Sequence, residues 1–256
     1  MKKLLATLTG FVMLFSMTTT VLAADYTSET GNNPTCVYSK TYQEITDAPE
    51  LIKKAINNYG RESQNVALLT ADKSDTQLQV SQLLSETRYS DGTTEKEYAY
   101  TGFVFLDDAG QPMSVQRVME EFENQHDESV YRDQVYGYQT IYTTERYDLD
   151  EYPFGDIWVR VDSVASKASF SSSGVKCTEI FQKYEVIEDY SSAYYRDKTT
   201  SSPSSNRTYT LTTGDRTMYN IVSGMIPPAN GVVATSIFTT SNGTEFLVTI
   251  SLDTLY

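Results

Sequence analysis

The sequence predicts a mostly β protein: an antiparallel β-sandwich or barrel-like fold with one short N-terminal helix packed on the sheet. Short segments of β-branched and aromatic residues recur along the chain, separated by turn sequences rich in Gly, Asn, Asp and Ser. Tyrosine is abundant, with 20 Tyr against 10 Phe, and tyrosine suits half-buried strand surfaces. The clearest helical periodicity with end signals is confined to one short segment near the N-terminus. Most of the remaining chain therefore fits strands.

The N-terminal segment has the three parts of a secretory leader. Lys2 and Lys3 precede a mainly apolar stretch at 4–17, and Val-Leu-Ala at 21–23 is a small-residue cleavage pattern. A transmembrane anchor is the alternative, but threonines and a glycine interrupt its apolar run. We expect a signal peptide at 1–23, a secreted extracellular protein of bacterial type, and no membrane insertion after cleavage.

A polar arm at 24–45 precedes a mostly β domain at 46–256. The predicted helix begins this domain in the segment TDAPELIKKAINNYG. Thr46 or Asp47 can cap its N-terminus, Pro49 suits the first turn, and Gly60 ends it. Its apolar face should dock on the sheet.

Turn sequences define the strands that follow. Ser-Asp-Gly-Thr at 90–93 and Ser-Asn-Gly-Thr at 241–244 predict hairpins. The segment 114–125 fits a helix capped by Ser114, although a strand is nearly as plausible. The Ser/Thr-rich segment at 191–206 is typical of a surface loop or linker. Charges around Glu95 suggest protection of an edge strand.

The alternation of residues in the last strand predicts which of its faces is buried. In the last strand, apolar side chains fall at every second position, which predicts one buried face. These residues are Phe246, Val248, Ile250 and Leu252. Whether the region after Ser201 forms a separate domain stays open at this point.

The charge balance restricts the classes of partner. The chain has 20 basic and 34 acidic residues, a net charge of −14, and loss of Lys2 and Lys3 with the leader deepens it by two. So acidic a surface repels nucleic acid and anionic polymers. It is compatible with neutral glycans, cationic partners and divalent metals, and we expect an extracellular glycan or a surface protein as partner.

The chain has two cysteines, Cys36 and Cys177. In an oxidising compartment, two cysteines without a competitor predict one disulfide. It would close a loop of about 140 residues, worth on the order of 5 kcal/mol by the chain-entropy argument. Two separate thiols are the alternative.

A stripe of tyrosines is the first candidate binding surface. Tyr136, Tyr138 and Tyr142 have the same parity, so in a regular strand they share one face, and Trp158 in the next strand could join them. Such a face suits stacking against a sugar, or ordinary cross-strand packing. A β-bulge at Gly137 would move Tyr136 off the stripe.

An acidic turn is the second candidate site. Its clustered carboxylates would suit a hard cation such as calcium, without the spacing of an EF-hand. The residues are Asp148, Asp150, Glu151 and Asp156. A solvated acidic turn is the alternative, and no other cofactor is expected.

Catalytic motifs are weak. The sole histidine, His126, sits in a polar turn without a nucleophile motif nearby, which disfavours His-dependent catalysis. A carboxylate pair would suffice for glycoside hydrolysis, and Glu120, Glu121, Glu123 and Glu145 are eligible. We therefore expect a non-catalytic binding or adhesion module, with a carboxylate-dependent hydrolase or an accessory structural protein as alternatives.

Overall fold

The computed structural model describes residues 34–59, 75–123, 134–149, 157–188, 191–214, 219–221 and 229–253. All of them belong to one compact unit, Pro34–Tyr256. The predicted signal peptide at 1–23 and the first part of the polar arm lie outside the described residues.

The described chain contains eleven strands and two helices. In chain order they are β1 Cys36–Thr41, α1 Ala48–Asn58, β2 Leu78–Tyr89, β3 Thr93–Leu106, α2 Val115–Glu123, β4 Val135–Leu149, β5 Ile157–Phe170, β6 Val175–Glu188, β7 Ser191–Ser201, β8 Thr208–Thr212, β9 Tyr219–Ile221, β10 Ala229–Thr240 and β11 Glu245–Asp253.

The strands form two antiparallel sheets, so the predicted β-sandwich is confirmed. The seven-stranded sheet has the order β1-β2-β3-β4-β5-β8, with β9 also pairing with β5. The four-stranded sheet has the order β11-β10-β6-β7. Strands β8 to β11 are divided between the two sheets, so the described region after Ser201 is part of the same sandwich.

Glycines shape the two predicted hairpins. Gly92 lies between β2 and β3 with φ of 88°, and Gly243 lies between β10 and β11 with the same φ. Side chains rarely adopt this left-handed conformation, whereas glycine does so without steric cost. In the last strand, the four alternating apolar residues from Phe246 to Leu252 are buried as predicted.

Both helices begin at a capping side chain. Asp47 Oδ2 accepts from the backbone N–H of Glu50 at 3.4 Å, and Ser114 Oγ accepts from that of Arg117 at 3.2 Å. The ambiguous segment at 114–125 is therefore helical over Val115–Glu123. Neither described helix is long and apolar enough to cross a membrane.

The seven-stranded sheet is packed on both faces. Its outer face carries an apolar cluster shared with α1 and α2, which includes Ile52, Phe103, Phe105, Phe122 and Tyr136. Its inner face packs against the four-stranded sheet through two further clusters. Burial of apolar area on both faces is the main stabilising contribution, at roughly 25 cal/mol per Å² removed from water.

Two glutamine side chains pair with backbone as a neighbouring strand would. The Gln77 amide donates to Thr249 O at 2.6 Å and accepts from Thr249 N at 2.9 Å, at the open edge of β11. The Gln82 amide accepts from Ile45 N at 2.9 Å and donates to Ile45 O at 3.1 Å. The first contact ties the two sheets together, and the second holds the segment before α1 on β2.

Two segments predicted as polar arm or loop are strands at sheet edges. Within the arm, Cys36–Thr41 forms β1 and pairs with β2. Within 191–206, Ser191–Ser201 forms β7 and pairs with β6. Both are rich in Ser, Thr and Tyr and largely exposed, because an edge strand buries less than a central one. Polarity alone therefore did not distinguish them from loops.

The predicted disulfide is absent, because Cys36 and Cys177 are both free thiols. Cys36 is exposed in β1 opposite Tyr89, at the end of the sheet where β3 begins. Cys177 is buried with Val104 near the opposite end of β3. That length of strand spans roughly 35 Å at about 3.3 Å per residue, whereas a disulfide needs Cα atoms within about 7 Å.

Candidate functional site

The tyrosine stripe is regular. Strand β4 pairs with β3 without a shift through Gly137, which lies opposite Val104, while Tyr136 lies opposite Phe105. The predicted common face of Tyr136, Tyr138 and Tyr142 is therefore present, and the bulge at Gly137 is not.

This face is packed against protein. Tyr136 is only 4% exposed, and its ring lies 5.3 Å from that of Phe105 between centroids. Tyr138 stacks on Phe103 at 5.4 Å. The Tyr142 hydroxyl donates to Glu44 Oε1 at 2.8 Å, and burial followed by the Glu44 charge raises the pKa of Tyr142. The stripe thus anchors the helical layer and the segment before α1.

Several predicted site residues fall outside the described part of the chain. Trp158 lies opposite Asp148 in the β4–β5 pairing, but the side chains of both are outside it. Four further predicted site residues lie entirely outside it: His126, Asp150, Glu151 and Asp156. Within the described residues, no group of three or more His, Cys, Asp or Glu is placed to hold a metal ion.

The structure brings together a group of charged residues that the sequence did not single out. We name it the charged cluster, and it lies on the outer face towards the end of the sheet where β3 begins. Its members are Glu95, Glu97, Arg146, Arg160 and Asp162.

Strand pairing builds the charged cluster. Glu95 of β3 lies opposite Arg146 of β4, which lies opposite Arg160 of β5, so the three form a row across the sheet. A register shift in the β4–β5 pairing leaves Asp162 as the extra residue of a bulge. The bulge sets the Asp162 carboxylate beside the Arg160 guanidinium, whose Nε donates to it.

The three carboxyl groups have different surroundings. Burial, followed by the nearby Asp162 charge, raises the pKa of Glu95 against the opposing effect of Arg146. Asp162 forms an ion pair with Arg160, and Glu97 Oε2 accepts from Ser85 Oγ at 2.9 Å. The cluster therefore combines one carboxyl whose pKa is raised with two others, one beside the Arg160 guanidinium and one beside the Ser85 hydroxyl.

Both arginines are unusually buried for charged residues. Arg146 is 9% exposed and Arg160 is 5% exposed. The Arg146 guanidinium carbon lies 4.7 Å from the centroid of the Tyr89 ring, a cation–π contact. Burial and the Glu95 charge raise the pKa of Tyr89, so its hydroxyl stays protonated. These contacts fix the guanidinium groups in place.

The arrangement places hydrogen-bond acceptors beside hydrogen-bond donors. Carboxylates accept hydrogen bonds and guanidinium groups donate several in a planar array, with Tyr89 as an aromatic neighbour. The charges around Glu95 predicted an edge strand, but this prediction was wrong, because β3 is central, with β2 and β4 on either side. The cluster could have been suspected from Arg146 and Arg160, which lie inside strand segments of the sequence. A charge in a strand is costly without a partner, so such residues indicate that partners are nearby.

Of the carboxylates that the sequence made eligible for hydrolysis, Glu145 is buried on the inner face. Thr143 Oγ1 donates to it at 2.9 Å, and Tyr147 donates through its hydroxyl. Burial raises the pKa of Glu145 although both bonds oppose the shift. Glu121 is paired with Arg117 on α2 at 3.1 Å, remote in sequence from Glu145. The described contacts join neither to the charged cluster.

Comparisons with protein families, with curated proteins and with solved structures gave no match.

Proposed function

We propose that the protein is a secreted, non-catalytic binding module that holds a neutral, polyhydroxylated ligand such as a glycan on the charged cluster. The observation that carries this proposal is the row of Glu95, Arg146 and Arg160 across three adjacent strands. The leader-like N-terminus supports export of the chain.

Sugar hydroxyls suit this row because each can donate and accept a hydrogen bond. Vicinal hydroxyls can hydrogen-bond to a carboxylate and to a guanidinium group at once, and Asp162 and Arg160 place these two groups side by side. The buried guanidinium groups have limited conformational freedom, so less entropy is lost when a ligand binds. The acidic charge of the chain disfavours anionic polymers as ligands.

Retention on insoluble polysaccharides tests the proposal. The mature chain should bind at least one neutral polysaccharide, and Glu95→Gln and Arg160→Gln should each weaken retention by about tenfold or more, the loss of one charge-assisted hydrogen bond. Glu120→Gln and Arg117→Gln make the same chemical changes on the exposed surface of α2 and should leave retention intact. Equal retention by all four variants would place the ligand elsewhere.

A second candidate is a carboxylate-dependent glycoside hydrolase at the same cluster. The observation that favours it is the contrast between Glu95, whose pKa is raised, and Asp162, which is ion-paired with Arg160. Glu95 would protonate the leaving oxygen while Asp162 activates water or attacks the anomeric carbon. Water is consumed, and one glycosidic bond is replaced by two hydroxyls.

Turnover distinguishes the two candidates. Incubation with oligosaccharides of a bound polysaccharide should release no new reducing ends if the protein is a binding module. Release that Glu95→Gln abolishes, with binding retained, would establish the hydrolase instead.

A further inference from the structure

Four polar side chains lie inside the sandwich, between the two sheets. Gln139 of β4 and Ser166 of β5 belong to the seven-stranded sheet, and Gln182 of β6 and Ser236 of β10 belong to the four-stranded one. Each has 0% exposure. Interiors of this kind are normally apolar, and buried polar groups in them are normally hydrogen-bonded.

Strand register places these side chains at one level of the sandwich. Gln139 lies opposite Ala168 and Ser166 lies opposite Ile141 in the β4–β5 pairing. Gln182 lies opposite Ala234, the position two residues before Ser236. The level separates the two inner apolar clusters, because Ile141 belongs to one and Ala168 to the other.

The hydrogen bonds of Gln182 fix the direction of its amide. Nε2 donates to Val164 O at 3.1 Å and to Tyr209 O at 3.0 Å, which uses both of its hydrogens. Oε1 is consequently directed away from these carbonyls, and it has no hydrogen-bond partner among the described residues. An acceptor is therefore held rigidly in the interior.

Gln139 and Ser166 supply complementary groups. Neither Nε2 nor Oε1 of Gln139 has a hydrogen-bond partner within the described part of the chain, and the same is true of Ser166 Oγ. Together with Gln182 Oε1 they comprise two acceptors, one amide donor and one hydroxyl that can do either. Ser236 Oγ, across the interior on β10, also has no hydrogen-bond partner among the described residues, and it lies beside the Cys177 thiol, whose pKa it lowers.

We propose that this level of the sandwich is an internal water-binding site, in which one or more water molecules bridge Gln139, Ser166 and Gln182. Water fits the set because it needs two to four polar partners and can donate and accept at once. None of the four side chains carries a charge, which disfavours a bound ion, and the buried polar atoms that lack hydrogen-bond partners disfavour an apolar ligand.

Magnetic relaxation dispersion of water oxygen-17 in solutions of the full chain tests the proposal. The wild-type protein should show long-lived internal water, and Gln139→Leu, which removes two of the four orphan atoms, should lose at least one such molecule. Gln116→Leu makes the same change on the exposed face of α2 and should keep the wild-type number. An unchanged number in folded Gln139→Leu would overturn the proposal.

A high-resolution crystal structure of the wild-type chain provides a second test that does not depend on the variant folding. Solvent density within about 3.2 Å of Gln139 Nε2 and Gln182 Oε1 would support the site. A direct hydrogen bond between the Gln139 and Gln182 amides, without solvent density between them, would overturn it.

Discussion

A side chain at Gly137 should destabilise the protein, because the inner face of β4 is in close contact with two phenylalanine rings there. A Cβ atom at this position would lie 2.8 Å from Phe246 Cε2 and 3.2 Å from Phe238 Cδ1. The two rings are stacked with centroids 5.2 Å apart, and both are buried. Substitution by alanine therefore forces at least one ring out of its packed position.

The magnitude follows from two opposing effects. Overpacking a well-packed core costs about 1–3 kcal/mol. Removal of the glycine's extra freedom in the unfolded chain returns about 0.4–1 kcal/mol. We expect Gly137→Ala to lower the free energy of unfolding by about 1–2 kcal/mol, seen in urea titration as a lower midpoint with an unchanged slope.

Gly174→Ala is the matched control. Its nearest neighbours would be the Ser172 and Ser241 hydroxyls at 3.6 Å, an ordinary contact distance, so this variant should be as stable as wild type or slightly more so. In a Phe246→Leu background the shortened side chain should reduce the cost of Gly137→Ala. Wild-type stability of Gly137→Ala, or an equal cost in both backgrounds, would refute the explanation by ring contact.

Three further outcomes are expected. Glu145→Gln should remove a loss of stability that begins above pH 4.5. The raised pKa of Glu145 gives stability that is present below its ordinary value of 4.5 and lost as the pH rises through the folded-state pKa. In urea titrations, the wild-type decline in the free energy of unfolding above pH 4.5 should therefore be weaker in Glu145→Gln. A thiol reagent at pH 8 should label Cys36 in the native protein and Cys177 only after unfolding. Cys177 is protected because it is buried and its pKa is raised to about 11. The absence of any reactive thiol after unfolding would contradict the structure. Ser114→Ala should lower the free energy of unfolding by about 1 kcal/mol through loss of the α2 cap. A stability equal to that of the wild type would show that this cap does not stabilise the protein.

Local features could be predicted from the sequence because their causes are local. The α1 cap at Asp47 and the hairpin glycines Gly92 and Gly243 act within a few residues of themselves. Alternation in the last strand predicted its buried face for the same reason. The second helix was ambiguous because Val115, Val118 and Phe122 suit either element until the sheet buries them on one side.

The charged cluster could not be predicted, because it depends on which strands become neighbours. Glu95 and Asp162 are 67 positions apart, and they approach only because β3, β4 and β5 lie side by side. The bulge that orients Asp162 requires an unequal residue count between paired strands, which neither strand specifies alone. The predicted disulfide failed similarly, since two cysteines say nothing about the distance between their strands.

The amide of Gln77 has a consequence for the behaviour of the protein in concentrated solution. It occupies both outward-facing backbone groups of Thr249, which would otherwise offer a template for a strand from another molecule. A strand from another molecule could extend β11 past Thr249 only by displacing the Gln77 side chain and breaking its two hydrogen bonds. One glutamine thus interrupts the run of free backbone groups from which fibrillar assembly would grow.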